Sequence, residues 1–527
     1  MSTSLFEQAM ARAHEGMEIA AVAAAIPQRI AIHSGQGSQT FGELNAQANQ
    51  LVRLLRAHGI GRDDAVALLC GNRLEFAAVR FAAHRMGVRI TPVNWHLSAA
   101  EIAYVVENCE ALALFADIRV AQAASLAGEG NTRLRLKVSI GGGIDGFVPF
   151  HDAIATLDGT DIDDPCLGNT MLYSSGTTGR PKGVLRKQAD PRIAAGMLQL
   201  MIAVFKYDPD CGRDLALCAG PLYHAGPFNI CLTQPLSAGI GTVLMDRWEP
   251  EQTLYLIEQQ RITHAFFVPT MFNRLLQLPA ATRARYDVSS LKFVIHGAAP
   301  CAVAVKQKML DWFGPLIWEL FAGTEGPGTV VSPQEWLAKP GTVGKPGPGQ
   351  MKILDDDGAE LPAGQTGAVY IANPPGSKFE YFGDPEKTRG AFRDGYYSAG
   401  DIGHMDEDGY LFLSGRSAEV IIAGGVNIYP QEIDDVLATH PAVADVACVG
   451  VPHPEWGEEI KAVVQLAGGV SASAELAEQL LSFAQSRLVR QKWPRSVDFV
   501  SDLPRSAAGK VQRGQLRARY WIGGTQI

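Results

Sequence analysis

As far as about residue 400, apolar runs too short for helices alternate with stretches in which apolar positions recur at helical spacing. Residues 65–70 read as a buried strand, 73–86 as the helix after it, and 88–93 as the next strand. The same wholly apolar signature returns at 215–219, 241–245, 264–268 and 291–296, the last strand expected in this region. Strands without a polar face must be covered on both sides, and intervening helices make neighbours parallel, so the pattern predicts doubly wound, mostly parallel sheets. In such sheets ligands sit in loops at the carboxyl ends of strands. Ahead of the first strand, Leu5, Met10 and the apolar residues of 19–26 predict one amphipathic opening helix.

Near residue 340 the pattern changes. Gly341, Gly344, Gly347 and Gly349 interleave with Pro340, Pro346 and Pro348, a turn-rich stretch. Residues 351–371 then read as short strands around a turn at 355–358. After Gly415 a separate unit begins, with strands at 442–451 and 461–466 and a helix at 473–488 that aligns Leu476, Leu480 and Phe483. The expected fold class is therefore α/β. A large N-terminal domain, residues 1–415, carries the parallel sheets and a small β-rich subdomain at about 340–415. A small α+β C-terminal domain, residues 416–527, follows and is long enough to fold alone.

The 527 residues exceed one compact core, and 47% apolar with 19% charged residues describe a globular chain. A net charge of −9 argues against non-specific binding to nucleic acid or anionic lipid. The eight cysteines form no Cys-x-x-Cys pair and read as reduced. Glu7, Glu15 and Glu18 stand where a leader peptide needs basic residues, no apolar run reaches a membrane span, and the last residues form no peroxisomal signal; the expected location is cytoplasmic.

The sharpest chemical signal is Tyr173-Ser174-Ser175-Gly176-Thr177-Thr178-Gly179-Arg180-Pro181-Lys182-Gly183-Val184. Gly176 and Gly179 let the backbone turn and present N–H groups to an anion, the hydroxyls add donors, and Lys182 adds a charge. The Gly-Lys-Ser/Thr spacing of a Walker A loop is absent. In this loop the chain resembles the adenylate-forming enzymes, which include acyl-CoA synthetases, firefly luciferase and non-ribosomal peptide adenylation domains. Further motifs of that family follow in order along the whole chain.

The resemblance implies a nucleotide site. His296-Gly297-Ala298-Ala299-Pro300 corresponds to the segment that borders adenine. In Glu319-Leu320-Phe321-Ala322-Gly323-Thr324-Glu325, Phe321 takes the place of the family's adenine-stacking tyrosine and Glu319 is a candidate acceptor for the adenine amino group. Glu325 is the implied Mg²⁺ ligand, with Thr177 as a second contact to metal and phosphate. Asp401 matches the ribose-binding aspartate, with Ala399 in place of the usual hydroxyl residue, and Arg416 matches the arginine that also reaches the ribose.

It also implies a mobile C-terminal domain. The run Arg416–Pro430 is similar to the acyl-CoA synthetase strip that lines a pantetheine path, where Gly424 and Gly425 permit close approach; Ala418 occupies the hinge position usually held by Asp or Lys. Lys510 corresponds to the lysine that bridges the attacking carboxylate and the α-phosphate. His224, in Pro221-Leu222-Tyr223-His224, matches the histidine that gates the acyl site. Phe228, Asn229, Val268, Thr270, Met271, His296, Ala322 and Gly323 are candidate acyl-wall residues, mostly apolar or small, and adjacent small residues at Ala322 and Gly323 suggest room for a bulky hydrophobic acid. The expected activity is an AMP-forming acyl-CoA ligase using ATP, Mg²⁺, coenzyme A and a small-molecule carboxylic acid, with no nucleic acid and no membrane insertion; a homodimer is left open. Competing readings are an adenylation enzyme that loads a carrier protein, luciferase-like oxygenation, and a catalytically silent acyl-nucleotide sensor.

Overall fold

The computed structural model describes residues 4–174, 180–186, 190–373, 378–506 and 509–521. They pack as two compact units. The first comprises Met1–Phe266, Tyr286–Val294 and Pro374–Gly390; the second comprises Phe267–Arg285, Ile295–Asn373 and Ala391–Ile527.

In the first unit, strand Ala65–Leu69, buried along its whole length, lies between Arg89–Pro92 and Ala111–Asp117, parallel to both. Leu136–Ile140 extends the sheet on one side and Asn169–Ser174 on the other, again parallel. The direction then reverses: Lys182–Arg186 and Phe379–Tyr381 pair antiparallel at that edge. A second set places Leu215–Cys218 between Gly241–Leu244 and His264–Phe267, with Ile30–Ser34 parallel beyond Gly241–Leu244. The apolar runs at 65–70, 88–93, 215–219, 241–245 and 264–268 are thus parallel strands. Helix Leu74–Arg85 starts and stops within a residue of expectation and buries nearly every position, the charged Glu75, Arg80 and Arg85 included.

The single opening helix is instead two, Leu5–Ala11 and Glu18–Ala25. Gly16 separates them with a φ of 76°, and a Cβ there would lie 2.7 Å from the His84 carbonyl oxygen. Only glycine combines the left-handed turn with that approach. Glu18 is fully buried, accepts from the Ser237 hydroxyl at 3.0 Å and lies 3.5 Å from His84.

In the second unit, strands Ile317–Phe321 and Thr329–Val331 form an antiparallel pair that the sequence pattern did not announce. Glu319 interrupts the apolar run, and its charge is masked in the fold by Lys306 at 2.7 Å. The β-rich segment forms an antiparallel sheet in which Met351–Leu354, Gly367–Ala372, Asp401–Met405 and Leu411–Arg416 are ordered by consecutive pairings. The 355–358 turn appears as expected, with Gly358 at a φ of 87°. Beyond it, the long strands Val443–His453 and Gly457–Leu466 pair antiparallel, Ser496–Val500 joins parallel, and helices Pro430–Leu437 and Ala474–Gln485 cover an apolar core that includes Ile433, Leu437, Val446, Val464 and Leu480. No helix among the described residues is long and apolar enough to cross a membrane, and all eight cysteines are free thiols.

Helix Pro430–Leu437 carries Asp435, whose carboxyl is pushed up to about 7 by burial and by neighbouring Asp434 and Glu432, against the hydrogen bond from Gln431 and the charge of Arg513. A carboxyl that holds its proton more tightly folded than unfolded contributes stability at low pH, and that contribution is lost as pH rises from about 4 through about 7. Asp435→Asn is therefore expected to melt above the wild type at pH 8, with the gap closing toward pH 4. Thermal unfolding across that range checks it; a constant gap would assign the effect to packing.

Candidate active site

The first unit carries the phosphate-loop flanks. Strands Asn169–Ser174 and Lys182–Arg186 pair with Tyr173 opposite Gly183 and Ser174 opposite Lys182. Gly183 is required there, since a Cβ would meet the Tyr173 ring at 3.1 Å and Met171 Sδ at 3.2 Å. The Tyr173 hydroxyl donates to Asn108 Oδ1 at 2.6 Å, which fixes the ring. Ser175, Gly176, Thr177, Thr178 and Gly179, the anion-binding heart of the motif, lie outside the described residues.

His224 also belongs to this unit. Its backbone N–H donates to Pro221 and its carbonyl accepts from Phe228, so it opens the π-helix Pro227–Thr233. Such wide turns cluster at functional sites. The expected wall residues here diverge. Phe228 is 1% exposed and turns its edge to Phe76, whereas Asn229 is exposed and donates to the Ala225 carbonyl. Phe228 is therefore core packing.

The remaining candidates belong to the second unit. Strand Phe293–Gly297 ends at Gly297, where a Cβ would lie 2.5 Å from the Leu320 carbonyl oxygen; glycine is what lets these two strands approach. Ala298 follows at a φ of 71°, a left-handed conformation that costs a residue with a Cβ, and it is exposed with half-buried Ala299 beside it. Strain and exposed backbone together suit a surface against which a flat ring lies.

Beneath this loop, Glu319 Oε2 accepts from Lys306 at 2.7 Å and lies 3.4 Å from His296 Nε2, and all three side chains are nearly inaccessible. Burial works to raise the Glu319 carboxyl, but His296 and Lys306 outweigh it and hold the group down to about 2. This ion cluster accounts for Glu319 without a nucleotide, and it fills the space of His296, which is fully buried and presents no wall to a ligand.

Phe321 closes its strand half-buried, with Ala322 exposed and Gly323, Thr324 and Glu325 half-buried beyond it. A Cβ on Gly323 would lie 3.0 Å from Glu325 Oε2. The space beside this glycine is thus bordered by the carboxylate expected to hold metal, which favours room for that side chain over room for a bulky acid. Gly323→Met is accordingly expected to displace Glu325 and lower kcat/KM uniformly across acids of all sizes. A loss confined to bulky acids in an acid panel would restore the pocket reading.

Several of the residues expected to bind nucleotide or act in catalysis lie near one another in this unit. Asp401 and Arg416 stand opposite each other on paired strands, and Arg416 Nε forms an ion pair with Asp401 Oδ1 at 3.1 Å. Lys510, more than ninety residues further on, lies within electrostatic reach of Arg416, Asp401, Glu325 and Glu419. Its side chain keeps an open side to solvent while protein crowds it. That crowding is the first cause holding its ammonium below the usual lysine value; Arg416 adds repulsion, and the three carboxylates pull the other way. One lysine and one arginine among carboxylates suit a ligand that carries both hydroxyls and phosphate. The residues at the hinge position form a short 3₁₀ turn, Ser417–Glu419, in which Ala418 is flanked by Glu419, itself an acceptor from Arg513 at 3.1 Å.

Gly424 and Gly425 are the two central residues of a tight hairpin between Ile421–Ala423 and Val426–Ile428, with φ of 59° and 79°. Positive φ at both positions marks a type I′ turn, which explains the glycine pair locally. Ile422 and Val426 beside it are exposed apolar residues, and Trp456 lies against Gly424.

Thr270, expected at the acyl wall, has a partner that the sequence did not announce. Its hydroxyl donates to the Gly509 carbonyl at 2.9 Å, so it is engaged by the lysine loop. No local pattern in the sequence signals a bond across such a separation.

The residues fit the ligands expected of them. Glu325 is a single half-buried carboxylate, as suits Mg²⁺, which takes one or two carboxylates and completes its shell with phosphate and water. The backbone exposed at Ala298 and the Asp401–Arg416–Lys510 group suit a nucleotide.

Comparison with known proteins agrees with this geometry. The family model described as AMP-binding enzyme matches residues 19–378, and the AMP-binding enzyme C-terminal domain matches 432–510. The chain is 31% identical over 507 residues to a feruloyl-CoA synthase of an Amycolatopsis species, covering 94% of this chain and 96% of the relative. It is 30% identical over 503 residues to the fatty acid–[acyl-carrier-protein] ligase ScoC of Streptomyces coeruleorubidus, covering 92% of each. Among solved structures, the ATP-bound RpMatB-BxBclM chimera B3 superposes with a TM-score of 0.83 at 28% identity, covering 96% of this chain and 99% of the other. The chain belongs to the AMP-binding enzymes, in the acid–CoA ligase branch of the adenylate-forming superfamily.

Proposed function

We propose that this AMP-forming acid–CoA ligase activates a hydrophobic carboxylic acid as its acyl-adenylate and transfers the acyl group to coenzyme A. The observation that carries the reading is the meeting of Lys510 with Asp401, Arg416 and Glu325, brought from separate segments into one cleft. Enzymes of this branch work with ATP, Mg²⁺ and coenzyme A.

In the first half-reaction a carboxylate oxygen attacks the α-phosphorus of ATP, and the bond to the leaving pyrophosphate breaks. Lys510 faces the charge that accumulates on both anions, and its contribution is largest in the transition state, where that charge is most crowded. Asp401 accepts from the ribose hydroxyls and Arg416 orients it. Glu325 and Thr177 would hold Mg²⁺, which would supply neutralisation of the triphosphate charge. His224 lies beside the acyl carboxylate, and Ser174, Ser175, Gly176, Thr178, Gly179 and Lys182 hold the phosphates. In the second half-reaction the C-terminal segment rotates, Lys510 withdraws, and the hairpin at Gly424 and Gly425 admits the pantetheine arm. The thiol sulfur then bonds to the acyl carbon, its proton leaves, and AMP departs.

The apolar character of Val268 and Met271 supports a hydrophobic acid. A kcat/KM panel from acetate to ring-bearing and long-chain acids tests this: bulky apolar acids are expected to lead, and a preference for acetate would remove that part of the reading. Substituting a phosphopantetheinylated carrier protein for coenzyme A tests the acceptor. Efficient transfer to the carrier alone would favour a carrier-loading enzyme.

A further inference from the structure

Beside its charged neighbours, the Lys510 loop makes one further contact, to Thr270, a residue the sequence placed at the acyl wall. The loop bearing it turns at Gly509, with a φ of 77° and a bond from the Gly509 N–H to the Ser506 carbonyl at 2.8 Å. The Gly509 carbonyl accepts twice. One donor is Arg505 Nη1 at 2.5 Å, whose guanidinium is anchored on Asp445 and braces the loop from within its own segment. The other is the Thr270 hydroxyl at 2.9 Å, 239 residues away, in the first turn of helix Pro269–Gln277. The fit is close: a Cβ on Gly509 would lie 3.0 Å from Thr270 Oγ1 and 3.1 Å from Val268 Cγ2.

Thr270 is not needed where it stands for the helix itself. That helix begins at Pro269, and its N-cap, Val268, makes no side-chain capping bond. A hydroxyl in a first turn ordinarily competes for backbone groups nearby, whereas this one is spent on the lysine loop. If the C-terminal segment rotates between half-reactions, the Arg505 bond travels with the loop and the Thr270 bond breaks.

We infer that Thr270 is a positioning residue, a latch that holds the Lys510 loop in the cleft for acyl-adenylate formation and releases it for thioester formation. The inference rests on the two-step ligase reading. A single hydrogen bond made in one orientation and not in the other shifts the balance between them by about 2- to 10-fold.

The experiment compares Thr270→Val, which removes the hydroxyl at nearly constant volume, with Thr270→Ser, which keeps it. Acid-dependent exchange of pyrophosphate into ATP reads the first half-reaction; thioester formation from synthetic acyl-adenylate reads the second. The valine variant is expected to lose about 2- to 10-fold in exchange kcat at near-constant KM for acid and ATP, with the second half-reaction unchanged or faster, and the serine variant to recover the exchange. Unchanged exchange in the valine variant of an active enzyme would overturn the latch alone. So would equal loss in both half-reactions, failure of serine to rescue, or a raised KM for the acid at constant kcat, which would return Thr270 to the acyl wall. A wild type that catalyses neither half-reaction would overturn the ligase reading and the latch with it.

Discussion

Replacing Lys510 with alanine is expected to cut acyl-adenylate formation on the order of 10²–10³-fold while leaving thioester formation from synthetic acyl-adenylate near the wild-type rate. The first figure is the scale on which a preorganised charge contact to a transition state is lost. The geometry supports assigning it to Lys510, whose ammonium group lies within electrostatic reach of Arg416, Asp401 and Glu325. The asymmetry comes from the rotation: a lysine withdrawn from the cleft in the second step has nothing left to stabilise there. The lowered proton affinity of Lys510 gives the prediction a second edge. The charged form is required, so exchange activity is expected to fall as pH rises through a value below that of a free lysine, and Lys510→Arg, which stays charged, is expected to lose that alkaline limb. Equal losses in both half-reactions of the alanine variant would contradict the two-orientation account.

The second large effect concerns Gly425. Its φ of 79° means that leucine both strains the turn and adds bulk, so the leucine variant is read against Gly425→Asn, since asparagine tolerates the left-handed region. The asparagine variant is expected to keep both half-reactions. The leucine variant is expected to keep pyrophosphate exchange and lose thioester formation on the order of 10²-fold, the scale of a reacting group displaced by about 1 Å. Among the described residues nothing lies within 4 Å of the added Cβ, so the first carbon of the leucine side chain meets open space. Collapse of exchange would make the hairpin a structural element only, and equal loss in both variants would assign the effect to the turn.

The parts of the molecule that could be read ahead were those in which one physical constraint fixes the residues locally. Wholly apolar runs such as 65–70 had to be buried parallel strands, and the Asp355–Gly358 turn announced itself by its glycine. Elements whose identity depends on distant partners were hidden. Strand Ile317–Phe321 is legible only once Lys306 is seen to neutralise Glu319. The break of the opening helix at Gly16 follows from the His84 carbonyl, some seventy residues away. At the site, ordered motifs located Asp401, Arg416, Glu325 and Lys510, because such a series is improbable without a shared ligand. Size arguments from single residues carried less: Gly323 lies against Glu325, and the bulk of Phe228 serves the core. Thr270 illustrates the same limit, since its partner is fixed by tertiary structure alone.

The central claim is that one cleft couples acid activation by ATP to thiol acylation. It is tested most directly by measuring pyrophosphate, AMP and thioester when a hydrophobic acid is added to enzyme with MgATP, with and without coenzyme A. The account predicts acid-dependent pyrophosphate release limited to about one equivalent per enzyme without coenzyme A, and continuous release of pyrophosphate and AMP, matched by thioester, when it is present. ADP and phosphate as products, or no acid-dependent pyrophosphate from any member of the panel, would contradict it.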